Sequence, residues 1–517
     1  MPSLHTLFRR RAALVAILLA PAAAAVQACT DLTETPRDAL SPSTTFRTPG
    51  EINAGLAAAY AQLRGTMWSV YNLNEVTTDE QVVPTRGSDW FDNGRWLEIH
   101  RLGYTASSGS GLEDVNGAWN DLFTGVSRAN LVINAVTNNG VTGQEQAVAE
   151  ARVLRAWYYY LLLDMFGGVP IVTTTDIAAR PRNTSAEVYA FIEKELTEAR
   201  TALSATAFKA ADANYGRITQ GAADAILASL YLNAQVYTGT VAANGLTPGA
   251  AQWQKAVEAA TRVISSNQYT LASTPDAWQA QFSPTNDGAG EHIFVIRMTN
   301  QDGLGLNLPM RTLHYNQLDP APWNGWAIPA ETYARFDTVA DTRANAIFKS
   351  GPQVSYVNGA PVNDRAGRRL VYTREINVTS ATEADGVRLV KFPPLVGAPN
   401  GNFPNDFPFF RLAEMYLIRA EANFRLGNAA AAAADLNTVR GSKYPARVTT
   451  VNADVILNER LFELAGEAKR RRDLIRFGRY TAPRQFKPEA TPGYKILFPI
   501  PVTQIGSNPQ LQQNPGY

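Results

Sequence analysis

Two stretches place large aromatic side chains among amides, acids and a cation, a mixture suited to holding a polyhydroxylated ring. In the first, Trp90, Phe91, Trp96 and Tyr104 are interleaved with Asp89, Asp92, Asn93, Arg95 and Glu98; in the second, Tyr315, Trp323 and Trp326 lie among Asn316, Gln317, Asp319 and Asn324. Neither stretch keeps a clean helical period, so both read as loops. The apolar C–H face of a sugar stacks on indole or phenol, and Asn, Asp and Arg hydrogen-bond the hydroxyls around its edge. Packing is the other use of a tryptophan and requires only one partner for the indole N–H. Trp119, Trp157, Trp253 and Trp278 are assigned to core, helical or unassigned positions, and Trp68 and Tyr71 rank behind the two clusters.

Other chemistries find little to work with. The chain has four histidines, His5, His100, His292 and His314, and a single cysteine, Cys29, which leaves no cluster with metal-ligand spacing. No nucleophile elbow, phosphate loop or dinucleotide fingerprint stands at a strand-to-helix junction, and Gly109-Ser110-Gly111 reads as a flexible loop. The acidic residues could supply the carboxylate pair of a glycoside hydrolase, but the sequence does not tell which two would face each other at ~5 Å or ~6.5–9.5 Å. Catalysis stays a formal alternative, and no cofactor is expected.

Lys and Arg number 47 against 46 Asp and Glu, so no field of one sign exists to hold a nucleic-acid backbone. Arg9, Arg10 and Arg11 precede an apolar run from Ala12 to Val26. The run is shorter than the ~18–20 residues of a spanning helix and contains Pro21, so residues 1–28 read as a signal peptide. Its removal takes away three arginines and no acid, leaving a balance of −2. Cys29 follows Ala25-Val26-Gln27-Ala28, which resembles the lipobox of bacterial lipoproteins. As the sole cysteine it has no disulfide partner, and acyl chains on its thiol and amine would anchor it stably at ~0.8 kcal/mol per buried methylene. The Thr-, Pro- and Ser-rich segment that follows, residues 29–50 with the cysteine included, reads as a lipidated tether.

The elements that must carry the aromatic stretches are mostly helices. Apolar spacing predicts helices in Ile52–Leu63, Trp119–Val136, Val148–Phe166, Ala186–Leu203, Ala222–Tyr237, Trp253–Ile264, Arg411–Leu426, Ala429–Val439 and Asn458–Phe477. From Tyr269 to Pro408 the pattern turns to Gly, Pro, Asn and aromatics, broken by strand-like pieces at Ile293–Met298 and Leu389–Phe392. One domain over 51–517 is expected, with a helical scaffold over about 51–268 and 409–480 and a loop-rich face over about 68–110 and 269–408. Ala413, Tyr416, Ala420, Ala422 and Phe424 lead through Leu426-Gly427-Asn428 into Ala430–Val439, the form of a tetratricopeptide unit. Ala223–Tyr237 with Trp253–Ile264 reads as a second unit with an inserted loop, and Ala151–Phe166 as half of another. Arg460, Glu463, Glu467, Arg470 and Arg471 recur at helical spacings and read as a solvated face, with ion pairs of ~0.2–0.5 kcal/mol each. Thr78-Asp79-Glu80 is assigned no role.

In order along the chain, Cys29-Thr30-Asp31-Leu32 with Pro36, then Ala151–Tyr159 running to Phe166-Gly167-Gly168-Val169-Pro170, then Phe410–Ala422, then Glu459-Arg460 through Glu463-Leu464, Glu467, Arg470 and Asp473-Leu474 to Gly478, resemble the SusD/RagB family of outer-membrane lipoproteins. Phe498-Pro499-Ile500-Pro501, Asn508-Pro509 and Gln513–Tyr517 look like the family's ending, while Gly466, Ala468 and Lys469 depart from its pattern. The resemblance implies a mostly α SusD-like body of tetratricopeptide-like helix pairs plus a loop-rich region with short strands. It also implies a shallow aromatic arc assembled from an early and a mid-chain loop. Trp90, Asp92, Asn93, Arg95, Trp96, Tyr315, Trp323, Asn324 and Trp326 are the positional candidates for that arc. The implied ligand is a glycan or oligosaccharide, with a peptide as the alternative. The implied partner is a SusC-like TonB-dependent barrel, over which the lipoprotein sits as a hinged lid on the outside of the outer membrane. A surface glycoside hydrolase and a barrel partner without ligand of its own are the rival readings.

Overall fold

Thr48 starts the first helix, α1 (Pro49–Ala61), by a reciprocal cap: the Glu51 N–H donates to the Thr48 hydroxyl, and the Thr48 N–H donates to the Glu51 carboxylate. The helix therefore begins inside the segment that reads as tether. The structure is a computed structural model that describes residues 46–517, which form a single unit. The signal over residues 1–28, Cys29 and the tether as far as Thr45 lie outside the described residues.

After α1 come α2 (Ser69–Glu75), α3 (Arg95–Arg101), α4 (Leu112–Asn139), α5 (Glu145–Phe166), α6 (Ser185–Ala199), α7 (Gln220–Leu232) and α8 (Trp253–Ser265). Beyond the short α9 (Leu308–Thr312) follow α10 (Leu412–Arg425), α11 (Ala429–Arg440), α12 (Ala453–Leu464), α13 (Arg470–Arg476) and α14 (Val502–Ser507). The long helices stack in order: α1 on α4, α4 on α5, α5 on α6, α6 on α7, α7 on α8, α8 on α10, and α10 on both α11 and α12. The α7/α8 and α10/α11 pairs are the two tetratricopeptide-like units expected, joined directly although residues 266–411 intervene. Ala256, Ala259 and Ala260 of α8 are wholly buried, and such small faces bring helix axes close. At the centre, α5 is buried on nearly every side. The hydroxyls of Tyr158, Tyr159 and Tyr160 are matched there by the Ala59 carbonyl, the Pro170 carbonyl and the Ser229 hydroxyl. None of the described helices is long and apolar enough to cross a membrane.

The intervening region is tied off at its base by an antiparallel pair, β1 (His292–Ile296) and β2 (Phe407–Arg411), buried along its whole length, with His292 opposite Arg411 and Ile296 opposite Phe407. Residues 297–406 form short helices, two-residue strands and loops beyond that clasp. This is the loop-rich region with short strands that the sequence suggests.

Two expectations need correction. The helix expected over Asn458–Phe477 is broken between α12 and α13, where Gly466 (φ 78°) and Ala468 (φ 56°) are left-handed. Their N–H groups leave the helical pattern because the buried carboxylates of Glu80 and Glu75 take them instead. The solvated charged face is likewise not on the surface: Arg460, Glu463, Glu467, Arg470 and Arg471 are each at most 3 % exposed. Glu463 meets Arg343 and Arg411 at 2.7 Å, Arg411 meets Glu467 at 2.8 Å and Glu291 at 2.9 Å, and Lys391 also reaches Glu467. Arg470 meets Asp79 at 2.7 Å, and Arg471 meets Asp164 at 2.9 Å. The helical spacing is real, but the face turns inward because its partners are supplied by distant elements. Thr78-Asp79-Glu80 thereby acquires a role, as the joint between the early loop and the C-terminal helices.

Candidate functional site

The early loop turns sharply before α3: Trp90 (φ 62°), Asp92 (φ 42°), Asn93 (φ 53°) and Gly94 (φ 81°) are all left-handed. Asn and Asp tolerate this region, but for a bulky indole it costs about 1–3 kcal/mol and persists only where the surroundings enforce it. They do so here. The Trp90 indole N–H donates to the Trp323 carbonyl at 2.6 Å, and the ring lies so close over Gly325 that a Cβ there would come within 2.4 Å of it. The two aromatic stretches, far apart in sequence, are thus pinned to each other. Behind Trp90 the rings continue inward: Trp90 meets Trp96 at 5.4 Å, Trp96 meets Trp326 edge-on at 6.1 Å, and Trp326 stacks on Tyr71 at 5.8 Å. Such contacts between rings fix the orientation of the outermost one.

Of the nine candidate side chains, Trp90, Tyr315 and Trp323 are half-buried, and Asp92 and Asn93 are exposed. Arg95, Trp96, Asn324 and Trp326 are buried, which corrects the expectation that they face a ligand. Each is consumed by neighbours. Arg95 grips both oxygens of Asp114 at 2.8 and 2.7 Å, and the Trp96 N–H donates to Asp92 at 2.6 Å. Asn324 accepts from Arg388 at 2.8 Å and donates to the Glu383 carbonyl at 3.1 Å, while Arg311 lies over Trp326. They support the surface from beneath.

The structure also adds residues that the sequence does not single out. The Tyr315 hydroxyl donates to Asp89 at 2.5 Å, and the Arg365 guanidinium covers its ring at 4.0 Å while pairing with Glu383 at 2.5 Å and Asp89 at 3.2 Å. Burial, followed by donation to Asp89, pushes the Tyr315 phenol above its ordinary range. Glu383 also accepts from His314 Nε2 at 2.8 Å, and the Asn316 N–H donates to His314 Nδ1 at 3.1 Å. That arrangement suits a neutral imidazole protonated on Nε2, consistent with burial lowering its pKa. No sequence signal marks Arg365, which arrives only because residues 353–372 fold back on Asn316 and Gln317. Trp68 is 41 % exposed and stacks under Arg311 at 4.4 Å, so one of the two lesser tryptophan and tyrosine candidates is on the surface while Tyr71 is buried.

The patch therefore offers half-exposed rings with amides and carboxylates at their edges. Asp89, Asp92 and Glu383 each already accept from a neighbouring Tyr, Trp or Arg. Among the described residues no group of three or more His, Cys, Asp or Glu is arranged to hold a metal ion.

Comparison with known proteins matches both ends of the chain. A family model described as "SusD family" covers residues 327–517, and one described as "Starch-binding associating with outer membrane" covers residues 35–232. The starch-binding protein SusD of Bacteroides thetaiotaomicron is 27 % identical over 87 % of this chain and 85 % of its own length. Among solved structures, surface glycan-binding protein A of Bacteroides uniformis is 22 % identical with a TM-score of 0.73, covering 90 % of this chain and 99 % of its own. Surface glycan-binding protein A of Bacteroides thetaiotaomicron, in complex with laminarihexaose, is 21 % identical with a TM-score of 0.71, covering 91 % and 100 %. The motifs at Ala151–Pro170 and Phe410–Gly478 fall inside the matched segments, the helical stack and its clasped insert are shared along nearly the whole chain, and the protein belongs to the SusD family.

Proposed function

We propose that the protein is a lipid-anchored, non-catalytic glycan-binding protein of the bacterial surface that passes its ligand to a SusC-like TonB-dependent barrel in the outer membrane. The observation that carries this reading is the seam between the two loops. It brings the half-exposed rings of Trp90, Trp323 and Tyr315 into one patch, with Asp92, Asn93 and Asn316 open at its edges. Rings that are rigid and already oriented bind sugar faces without a large ordering cost. A relative named for starch binding, a structural neighbour that holds laminarihexaose, and a family description naming the outer membrane support the ligand class and the location. Cys29 supplies the anchor.

Titration of residues 30–517 with polysaccharides, oligosaccharides and peptides, with product release followed in the same samples, tests the reading. Saturable glycan binding without new reducing ends is expected. A ring contact worth ~0.5–1.5 kcal/mol beyond its buried area corresponds to a loss of up to about tenfold in Trp90→Ala and in Trp323→Ala. New reducing ends would establish a hydrolase instead, and peptide binding in place of glycan would replace the ligand class.

A further inference from the structure

A second opening shares no residue with the aromatic patch. It lies between α4, the strap of residues 170–180 and α14 with the tail behind it, and has a volume of about 490 Å³. That is within the ~300–1,000 Å³ of small-molecule sites. The strap is fixed at both ends, by Asn130 to the Val172 carbonyl at 2.9 Å, Asn134 to the Thr173 carbonyl at 3.1 Å and Asn508 to the Arg180 carbonyl at 2.8 Å, so the groove is built into the fold.

Its lining has the composition of a sugar site. Phe123, half-buried, supplies the aromatic face, and Trp119, in contact with it at 4.7 Å, adds only a narrow edge to the wall. Trp119 is only 4 % exposed, and its indole N–H makes no hydrogen bond among the described residues, while the Arg180 Nε–H is buried on the groove wall without an acceptor. Asn120 uses its side-chain carbonyl to accept from Gln504 at 3.2 Å, which among the described residues leaves the Asn120 amide hydrogens, the Gln504 carbonyl oxygen and the exposed Ser127 hydroxyl without a partner. Arg180 is the sole charged side chain among the described lining residues, and Asp176 pairs with it at 2.9 Å.

We infer that this groove is a second carbohydrate site, taking one or two units of a neutral glycan against the Phe123 ring with the Trp119 edge beside it. The absence of any unpaired charge on the wall disfavours a uronate or a sulfated sugar. The inference rests on the glycan-binding reading of the protein but needs a surface distinct from the patch that carries that reading.

Titration of residues 30–517 with a panel of neutral hexasaccharides, laminarihexaose included, separates the two. The double variant Trp90→Ala/Trp323→Ala is expected to keep a weaker residual affinity. Adding Ser127→Arg, a substitution at an exposed helical position that fills the groove, is expected to lower that residual at least tenfold. Trp119→Phe, which keeps a ring and removes the N–H, should lower it severalfold. Complete loss of binding in the double variant, or a residual untouched by Ser127→Arg and Trp119→Phe, overturns the second site and leaves the patch intact. Binding lost with Ser127→Arg alone but kept by the double variant supports the groove and overturns the patch. Silence of the wild type across the panel overturns both. Glycan titrations unaffected by Ser127→Arg, combined with reduced co-purification with an outer-membrane barrel, would reassign the groove to a protein partner.

Discussion

Gly325 shows how much of the aromatic patch depends on single atoms. Its missing side chain is the space in which the Trp90 ring lies, and a Cβ at 2.4 Å from the ring cannot be accommodated without moving it. Gly325→Ala is therefore expected to unseat Trp90, break its hydrogen bond to the Trp323 carbonyl and weaken glycan binding at least as far as Trp90→Ala does, with the helical content unchanged. Glycan titration beside circular dichroism checks this, and an unaltered affinity would remove the seam from the account of binding. At this scale the sequence conveys residue type but not exposure. Trp96 and Trp326 stand in the same polar surroundings as Trp90 and Trp323, and what buries them is Tyr71, Arg311 and Asp114, supplied by other elements.

Among the elements, the periodicity of apolar residues locates the helices well, because burying one stripe is a local property of the chain. It fails for α12 and α13, since charged residues at helical spacing look alike whether they face water or a partner. The Glu463 and Glu467 carboxylates are satisfied by Arg343, Arg411, Lys391 and Lys443, which a local pattern cannot reveal. Arg411 is the hub, and its loss leaves Glu291, Glu463 and Glu467 short of a partner in a dry interior. Arg411→Met is expected to lower stability by about 3–5 kcal/mol, the cost of breaking a buried pair from one side. Urea unfolding measures it, and a loss below about 1 kcal/mol would show that these charges are solvated after all.

The whole molecule carries a pH dependence to which its clasp contributes. His292 on β1 holds the Gln281 carbonyl through Nε2 at 3.0 Å, and its Nδ1 is buried without a partner. Burial pushes its pKa down from 6.5 to about 4. Between those values the unfolded chain takes up a proton that the folded chain refuses, so the contribution is whole above pH 6.5 and is lost as pH falls toward 4. The loss is about 3 kcal/mol at most from this one ring. His292→Gln is expected to flatten the fall in melting temperature across that window, and an unchanged slope would place the acid sensitivity elsewhere.

The seam between Trp90 and Trp323, and the joint between Asp79 and Arg470, also set the order in which the molecule can come together. Both close very long loops, the second spanning most of the body, and contacts of that kind form late because chain entropy must be overcome first. A growing chain completes α1 to α8 from nearby contacts, but the early aromatic loop is held only to α4, through Arg95 and Asp114, until residues 311–326 and α13 have followed. Glycan affinity is thus the last property this protein acquires as it folds, and a chain cut short before α13 lacks the joint on which that surface rests.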